Sequence, residues 1–191
     1  MIEVPCEIIV VYHDQNDTSA PVVRRLELKY PNLKGAMNSR GRGVLTAVTA
    51  DTKAARGRYA LIYAADEIGP LLAIEPMLRL MRQGCNYVSA TRYAGGGKRY
   101  GGSLLGHGLS YAANLLSRLL TATAPSDCTT GMMMFRHEIF HRVELSGTGS
   151  GGSPRLRWRF QARLIDLKLG EVSIVSIDRL FGGQSTFRSL P

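Results

Sequence analysis

Two adjacent acids, Asp66 and Glu67, end an apolar run from Tyr59 to Ala65. A run of that kind closing on two carboxylates predicts a buried strand that delivers acids to the edge of a sheet. In open α/β sheets, ligands collect where strands end at their carboxyl side. Acids placed there can hold a divalent ion or a sugar hydroxyl. A solvated turn after a strand has the same composition, so the neighbouring segments must decide between the two.

Other residues of chemical interest are spread along the chain. His13-Asp14-Gln15-Asn16-Asp17-Thr18 follows the apolar run Glu7 to Tyr12; such residues can hydrogen-bond a ribose or base, or simply turn the chain and cap a helix. Asn38-Ser39-Arg40-Gly41-Arg42-Gly43 is basic and glycine-bearing at a helix start, a composition that suits a phosphate, although a turn with solvated arginines looks the same. Ala94 to Gly102 contains five glycines with Lys98 and Arg99 among them, the composition of a mobile cationic flap over a polyanion, and also of a plain loop. His107 and Tyr111 lie one helical turn apart, where a lone histidine is more often structural than a ligand. Met132-Met133-Met134-Phe135 predicts an inner strand and no thioether site, because neighbours on a strand point apart.

The elements that must position these residues alternate in type. Strands are expected over Glu7–Tyr12, Tyr59–Glu67, Asn86–Tyr93, the Met132 run and Glu171–Arg179. Helices are expected through Val22, Val23 and Leu26 up to Pro31, and through Leu45, Val48 and Ala55. A third carries Met77, Leu78, Leu80 and Met81 on its inward face, and a long fourth runs from about Leu104 to Leu120 with Leu105, Leu109, Ala112, Leu116 and Leu119 on one side, a core or interfacial helix. Short helical segments near His137 to Val143 and around Trp158 to Ile165 complete the set. Ser146 to Pro154 has the composition of a flexible linker.

With 191 residues, 45% hydrophobic and 20% charged, the chain has the makings of one globular domain. Its net charge of +9 calls for an anionic partner: a phosphate-bearing substrate, an anionic membrane surface or nucleic acid. Nucleic acid is not expected, because the arginines are not interleaved with aromatics in any recognisable module. Cys6, Cys85 and Cys128 are scattered and odd in number, which argues against disulfides and zinc and for reduced thiols in the cytoplasm. Neither a secretory signal nor a membrane span is read in the sequence. The oligomeric state is not readable from it.

Five segments, taken in order, resemble the inverting family 2 glycosyltransferases, specifically the dolichyl-phosphate mannosyltransferase-like branch that transfers sugars to polyprenol phosphates. Tyr63 to Asp66 is similar to that family's Asp-x-Asp segment. Ala90-Thr91-Arg92-Tyr93 with Gly95-Gly96 resembles its Gly-Ser-Arg-Tyr…Gly-Gly element, and Ser110 to Asn114 its Ser-Arg-x-Ala-Asn helix. Asp127-x-Thr129-Thr130-Gly131 before Phe135-Arg136 resembles its Asp-x-Thr-Ser-Gly-Phe block. Glu171-Val172 leading to Arg179 and Gly183-x-Ser185 resembles its Glu-Val-Pro…Arg…Gly-x-Ser-Lys ending.

The resemblance implies an α/β domain of GT-A (Rossmann-like) type: a mixed, mostly parallel sheet flanked by helices in a single domain. It implies transfer of a sugar from a nucleotide-diphosphate donor to a polyprenyl phosphate or other lipid acceptor, with Mg²⁺ or Mn²⁺ on Asp66. Asp66 and Asp127 are then the catalytic candidates. Asp14, Asp17, Asn38, Arg42 and Glu67 would bind nucleotide and sugar, and Arg92, Ser110, Arg179, Ser185 and Arg188 phosphate and acceptor. A cytoplasmic protein touching the membrane peripherally is expected. The sequence departs from the pattern at Ala64, where the family carries an acid, at Gly106, which stands where a cation is expected, and at Thr186, where the final Lys would be. The family's first strand is expected to be missing, with the chain opening on the second. A rival reading is a catalytically weak or inactive domain of this fold that binds nucleotide, anionic lipid or nucleic acid.

Overall fold

The computed structural model describes residues 4–12, 16–38, 55–64, 70–101, 108–112, 114–116, 126–127, 129–141 and 167–177. The chain enters through β1 (Ile8–Tyr12), whose β-branched residues favour the extended state, and turns into helix α1 (Ser19–Lys29). The Asp17 carboxylate accepts the Ser19 N–H at 2.9 Å, satisfying one amide that the first helical turn leaves open. Ala20 and Val23 form the buried face of α1, while Val22, expected to share it, is 43% exposed. Strand β2 (Leu33–Met37) returns parallel to β1, in register from Ile8 opposite Leu33 to Tyr12 opposite Met37.

A four-stranded sheet carries the rest of the core. Its order is β3 (Tyr59–Ile62), β6 (Met133–Arg136), β4 (Tyr87–Thr91), β7 (Leu169–Ser173). β4 and β7 are parallel, and β6 runs antiparallel to both of its neighbours. Three of the five described strand pairs are parallel, which bears out a mixed, mostly parallel α/β architecture. Every residue of β4 is buried, as a strand covered on both faces requires. β3 is only half-buried along its length, against the expectation of a buried strand. Among the described pairings it has β6 on one side only, so its apolar run covers an outer position.

Alternation along β6 divides the core in two. Met132 and Met134 pack with Val88, Ala90, Met77 and Met81 on one face, and Met133 and Phe135 with Tyr87 and Ile139 on the other. The methionine run is therefore an inner strand, as its spacing predicted. A 3₁₀ turn (Pro70–Ala73) leads into helix α2 (Ile74–Arg82), whose Met77, Leu78 and Met81 are buried at the periodicity expected. A second 3₁₀ turn (His137–His141) follows β6.

Three expectations are corrected. Lys98–Tyr100, taken for part of a mobile loop, forms strand β5 and pairs in parallel with β8 (Val175–Ile177). The single closing strand is divided into β7 and β8 at Ile174. That residue gives its N–H to the Thr91 carbonyl at 2.9 Å and its carbonyl accepts the Lys98 N–H at 2.9 Å, so one residue switches the chain from β4 to β5. Residues 108–112 and 114–116 are helical, but the expected apolar side is not a core face. Leu109 is 64% and Leu116 57% exposed, and the side chains turned inward are Ser110 and the buried Asn114.

Among the described residues, no helix is long and apolar enough to cross a membrane. Ala55, expected to belong to the helix through Leu45 and Val48, is not helical; the rest of that helix, the segment around Trp158 and the Gly/Ser stretch 146–154 lie outside the described residues.

Candidate functional site

Strand direction gathers distant segments at one edge of the four-stranded sheet. Ile62, the last residue of β3, and Ser89 of β4 both stand opposite Met133, the first residue of β6. Because β6 is antiparallel to each, the carboxyl ends of β3, β4 and β7 share an edge with the segment that enters β6. That edge therefore receives Arg92 just after β4, Asp127 and Thr129 just before β6, and Ser173 at the end of β7.

At its centre is a buried ion pair. Arg92 Nε donates to Asp127 Oδ2 at 2.7 Å and Arg92 Nη2 to Oδ1 at 3.1 Å, the bidentate geometry a guanidinium offers a carboxylate. The two side chains are 8% and 0% exposed. The Arg92 N–H also donates to Oδ2 at 3.1 Å, and the Thr129 N–H and hydroxyl both donate to Oδ1 at 2.9 Å. Burial, the largest single influence, pushes the Asp127 carboxyl up. The hydrogen bonds and charge of Arg92, with the two Thr129 donors, together outweigh it and hold the group below the usual carboxylate range. Asp127 is therefore an anion at neutral pH, with little affinity for a proton.

A chain of hydroxyls extends outward from this pair. Thr129 Oγ1 accepts Arg92 Nη2 at 2.6 Å, Ser110 Oγ lies 2.7 Å from Thr129 Oγ1, and Tyr93 OH donates to Ser110 Oγ at 2.8 Å. Each hydroxyl has one hydrogen. Since Thr129 gives its own to Asp127, Ser110 must donate to Thr129, and every hydrogen in the chain points toward the carboxylate. Tyr93 at the outer end takes the Arg92 guanidinium over its ring at 5.4 Å and meets Tyr111 edge to face at 6.5 Å.

A second carboxylate steadies the same loop. Glu171 Oε1 on β7 accepts the Ser126 N–H at 2.7 Å and the Ser126 hydroxyl at 3.0 Å, and Ser126 Oγ is hydrogen-bonded to Thr91 Oγ1. The turn after Arg92 is as tightly built. A Cβ at Gly97 would lie 2.5 Å from the Thr91 carbonyl oxygen and 2.9 Å from Arg92 Cα. Gly95, with φ at +58°, would drive one into Ser173 Oγ.

Of the residues singled out from sequence, Arg92, Ser110 and Asp127 are brought together here. Arg92, expected to bind phosphate or acceptor, and Asp127, expected to be catalytic, are bonded to each other. Asn38 is buried at the carboxyl end of β2, its N–H donating to the Tyr12 carbonyl at 2.9 Å. Asp17 stands at the start of α1. Asp14, Arg42, Asp66, Glu67, Arg179, Ser185 and Arg188 lie outside the described residues. β3 runs toward the edge that holds Asp127, and Asp66 comes shortly after its last residue in sequence.

Tyr93, Ser126, Thr129 and Glu171 were not assigned roles from sequence. The signal for Thr129 was present, because Asp-x-Thr is the spacing at which an aspartate caps its own turn. Among the described residues, no three His, Cys, Asp or Glu side chains come together to hold a metal ion. Both Asp127 oxygens are already occupied by donors, so that carboxylate does not fit a metal.

Comparison with solved structures gives the same fold at low identity. A mannosyltransferase, PcManGT, from Pyrobaculum calidifontis, solved with GDP-Man and Mn²⁺, matches with TM-score 0.62 and 18% identity over 91% of this chain and 48% of its own. A mycobacterial protein matches with TM-score 0.66 and 14% identity over 94% of this chain and 58% of its own. The glucosyl-3-phosphoglycerate synthase of Mycobacterium tuberculosis, in complex with phosphoglyceric acid, matches with TM-score 0.62 and 14% identity, over 93% and 61%. The chain thus spans between about half and three fifths of the length of these proteins. The sequence pattern of glycosyl transferase family 2 matches residues 3–144, most of the chain. On that match, and on a fold that agrees with it, the chain belongs to glycosyl transferase family 2.

Proposed function

We propose that the chain is the nucleotide-sugar-binding part of an inverting glycosyltransferase that passes a sugar from a nucleotide-diphosphate donor to a polyprenyl phosphate or similar lipid acceptor. The observation that carries this reading is the convergence of Arg92, Asp127, Thr129 and Ser110 on the sheet edge toward which β3 runs, a strand whose last residue, Ile62, precedes Asp66 in the sequence. Family membership and the GDP-Man and Mn²⁺ bound by the Pyrobaculum mannosyltransferase support a donor of this class.

In this reading Asp66, with Glu67 beside it, would hold Mg²⁺ or Mn²⁺. The ion would supply Lewis-acid stabilisation to the departing diphosphate. Asp14, Asp17, Asn38 and Arg42 serve the nucleoside and sugar. Arg179, Ser185 and Arg188 serve the phosphates. Asp127 acts as a positioning residue: ionised and saturated with donors, it fixes Arg92 and holds Thr129, Ser110 and Tyr93 in one inward-donating chain, which keeps the edge that would meet the acceptor in place. The exposed Leu109, Tyr111, Leu115 and Leu116 surround Ser110 in sequence and support an acceptor with an apolar chain, met peripherally at a membrane.

The test is calorimetry of GDP- and UDP-sugars with and without Mn²⁺. Metal-dependent binding that Asp66→Ala abolishes is the expected result; equal affinity in both proteins would remove Asp66 from the metal. The rival is a weakly active or inactive domain that binds nucleotide, anionic lipid or nucleic acid. It is favoured by Ala64 at the position of a family acid, and it predicts binding without turnover.

A further inference from the structure

The opposite edge of the same sheet holds a feature that the proposed transfer does not use. Where β3 begins and β6 ends, Tyr59 stands opposite Arg136. A cavity of about 260 Å³ is lined there by Arg56, Gly57, Arg58, Arg136, His137 and Glu138. The guanidinium carbons of Arg58 and Arg136 each lie 5.6 Å from the centroid of the Tyr59 ring, so one aromatic ring gathers two cations. Arg136 is aimed by its backbone partners: Nε donates to the Cys85 carbonyl at 3.2 Å and Nη2 to the Met81 carbonyl at 3.0 Å, at the end of α2.

Among the described residues, the ion pairs are those of Arg56 with Glu7, Arg82 with Glu75 and Arg92 with Asp127. Among the described residues, Arg58 and Arg136 are therefore not in an ion pair with a carboxylate, and Glu138 lines the same cavity without such a pair to either. Two cations gathered near one ring raise the positive potential at this edge, which attracts an anion. The volume falls below the roughly 300–1,000 Å³ of pockets that enclose drug-sized ligands, which favours a phosphate group over a whole nucleotide.

We propose that Arg58 and Arg136 form a second anion site that takes a phosphate group, at the sheet edge opposite the Arg92–Asp127 pair. The phosphate can belong to a small soluble phosphomonoester or to a lipid headgroup; both offer the acceptor oxygens that a guanidinium fork recognises. The site is independent of the proposed donor chemistry and needs no metal.

The test therefore uses the full chain in EDTA at constant ionic strength. Inorganic phosphate is titrated by calorimetry, and binding to phosphatidic acid vesicles is measured by sedimentation against phosphatidylcholine vesicles. Arg58→Ala is expected to weaken phosphate binding about ten- to hundredfold, the cost of one charge-assisted pair of hydrogen bonds. Arg136→Lys, which keeps the charge and loses the fork, should weaken it less, and Arg82→Ala, away from the cavity, should leave it unchanged. Vesicle binding lost in Arg58→Ala without measurable free-phosphate binding would support the site and make the headgroup its source. The proposal is overturned if neither phosphate nor phosphatidic acid binds, or if Arg58→Ala and Arg82→Ala behave alike.

Discussion

Replacing Asp127 with Asn removes one charge and almost no volume, so its effect isolates the ion pair. The carboxylate accepts five hydrogen bonds, two on Oδ2 and three on Oδ1. An amide has one acceptor oxygen, so at least two of these donors would face an NH₂ group, and Arg92 would keep its charge at 8% exposure beside a neutral side chain in place of the carboxylate. Breaking a buried pair by removing one partner costs about 3–5 kcal/mol. For a domain of this size that corresponds to a fall in Tm on the order of 6–20 °C.

Urea denaturation of both proteins at pH 7, extrapolated linearly, measures the difference. The pH dependence supplies a second reading of the same group. Because the folded-state pKa of Asp127 is lowered, its contribution is complete above the unfolded value near 3.8 and is lost as pH falls through the lower folded value. Asp127→Asn should therefore lose less stability than the wild type as pH falls through that acid window. A difference below about 1 kcal/mol at pH 7, or parallel acid profiles, would refute the claim that this pair holds the site together.

Further tests separate the supporting parts. Gly97→Ala should destabilise by about 1–3 kcal/mol, since its methyl would meet backbone at 2.5 Å. Gly96→Ala, at φ +86° in open space, should cost only about 1–2 kcal/mol from conformation alone, and thermal melts of the two compare steric with backbone strain. Glu171→Ala should cost about 1 kcal/mol in urea titration by releasing Ser126, whereas Glu171→Gln, which keeps an acceptor oxygen, should be nearly neutral. Met77→Ala, at a fully buried position between α2 and the sheet, should cost about 2–5 kcal/mol in the same titration.

Much of the fold was legible because it depends on local pattern. The spacing of Met77, Leu78 and Met81 located α2, and the β-branched run before Tyr12 located β1. Pairing was not legible. Nothing in the composition of Met133 to Arg136 shows that it runs antiparallel between β3 and β4, yet that insertion is what brings Asp127 to Arg92. For the same reason the sequence singles out Arg92, Ser110 and Asp127 one by one but does not show their bonds to one another. The helix around Ser110 shows a further limit: periodicity reveals that Leu109 and Leu116 share a side, but not which medium covers it. Here the polar side packs inward because the hydroxyl chain from Asp127 needs Ser110 as its next member.

The insertion of β6 also bears on the order of folding. Arg92 and Asp127 are 35 residues apart, and Ser126 meets Glu171 across 45. Neither contact can form from a local turn, so the entropy of closing both loops is paid before the polar cluster exists. During synthesis, Arg92 would wait for β6 to dock beside β4, and the loop ahead of β6 would gain its anchor only after β7 had emerged. Closure of the site is thus a late event that reports on assembly of the whole sheet. A nascent chain ending before Leu169 would keep Arg92 and Asp127 within reach of each other but without the strand that steadies their loop.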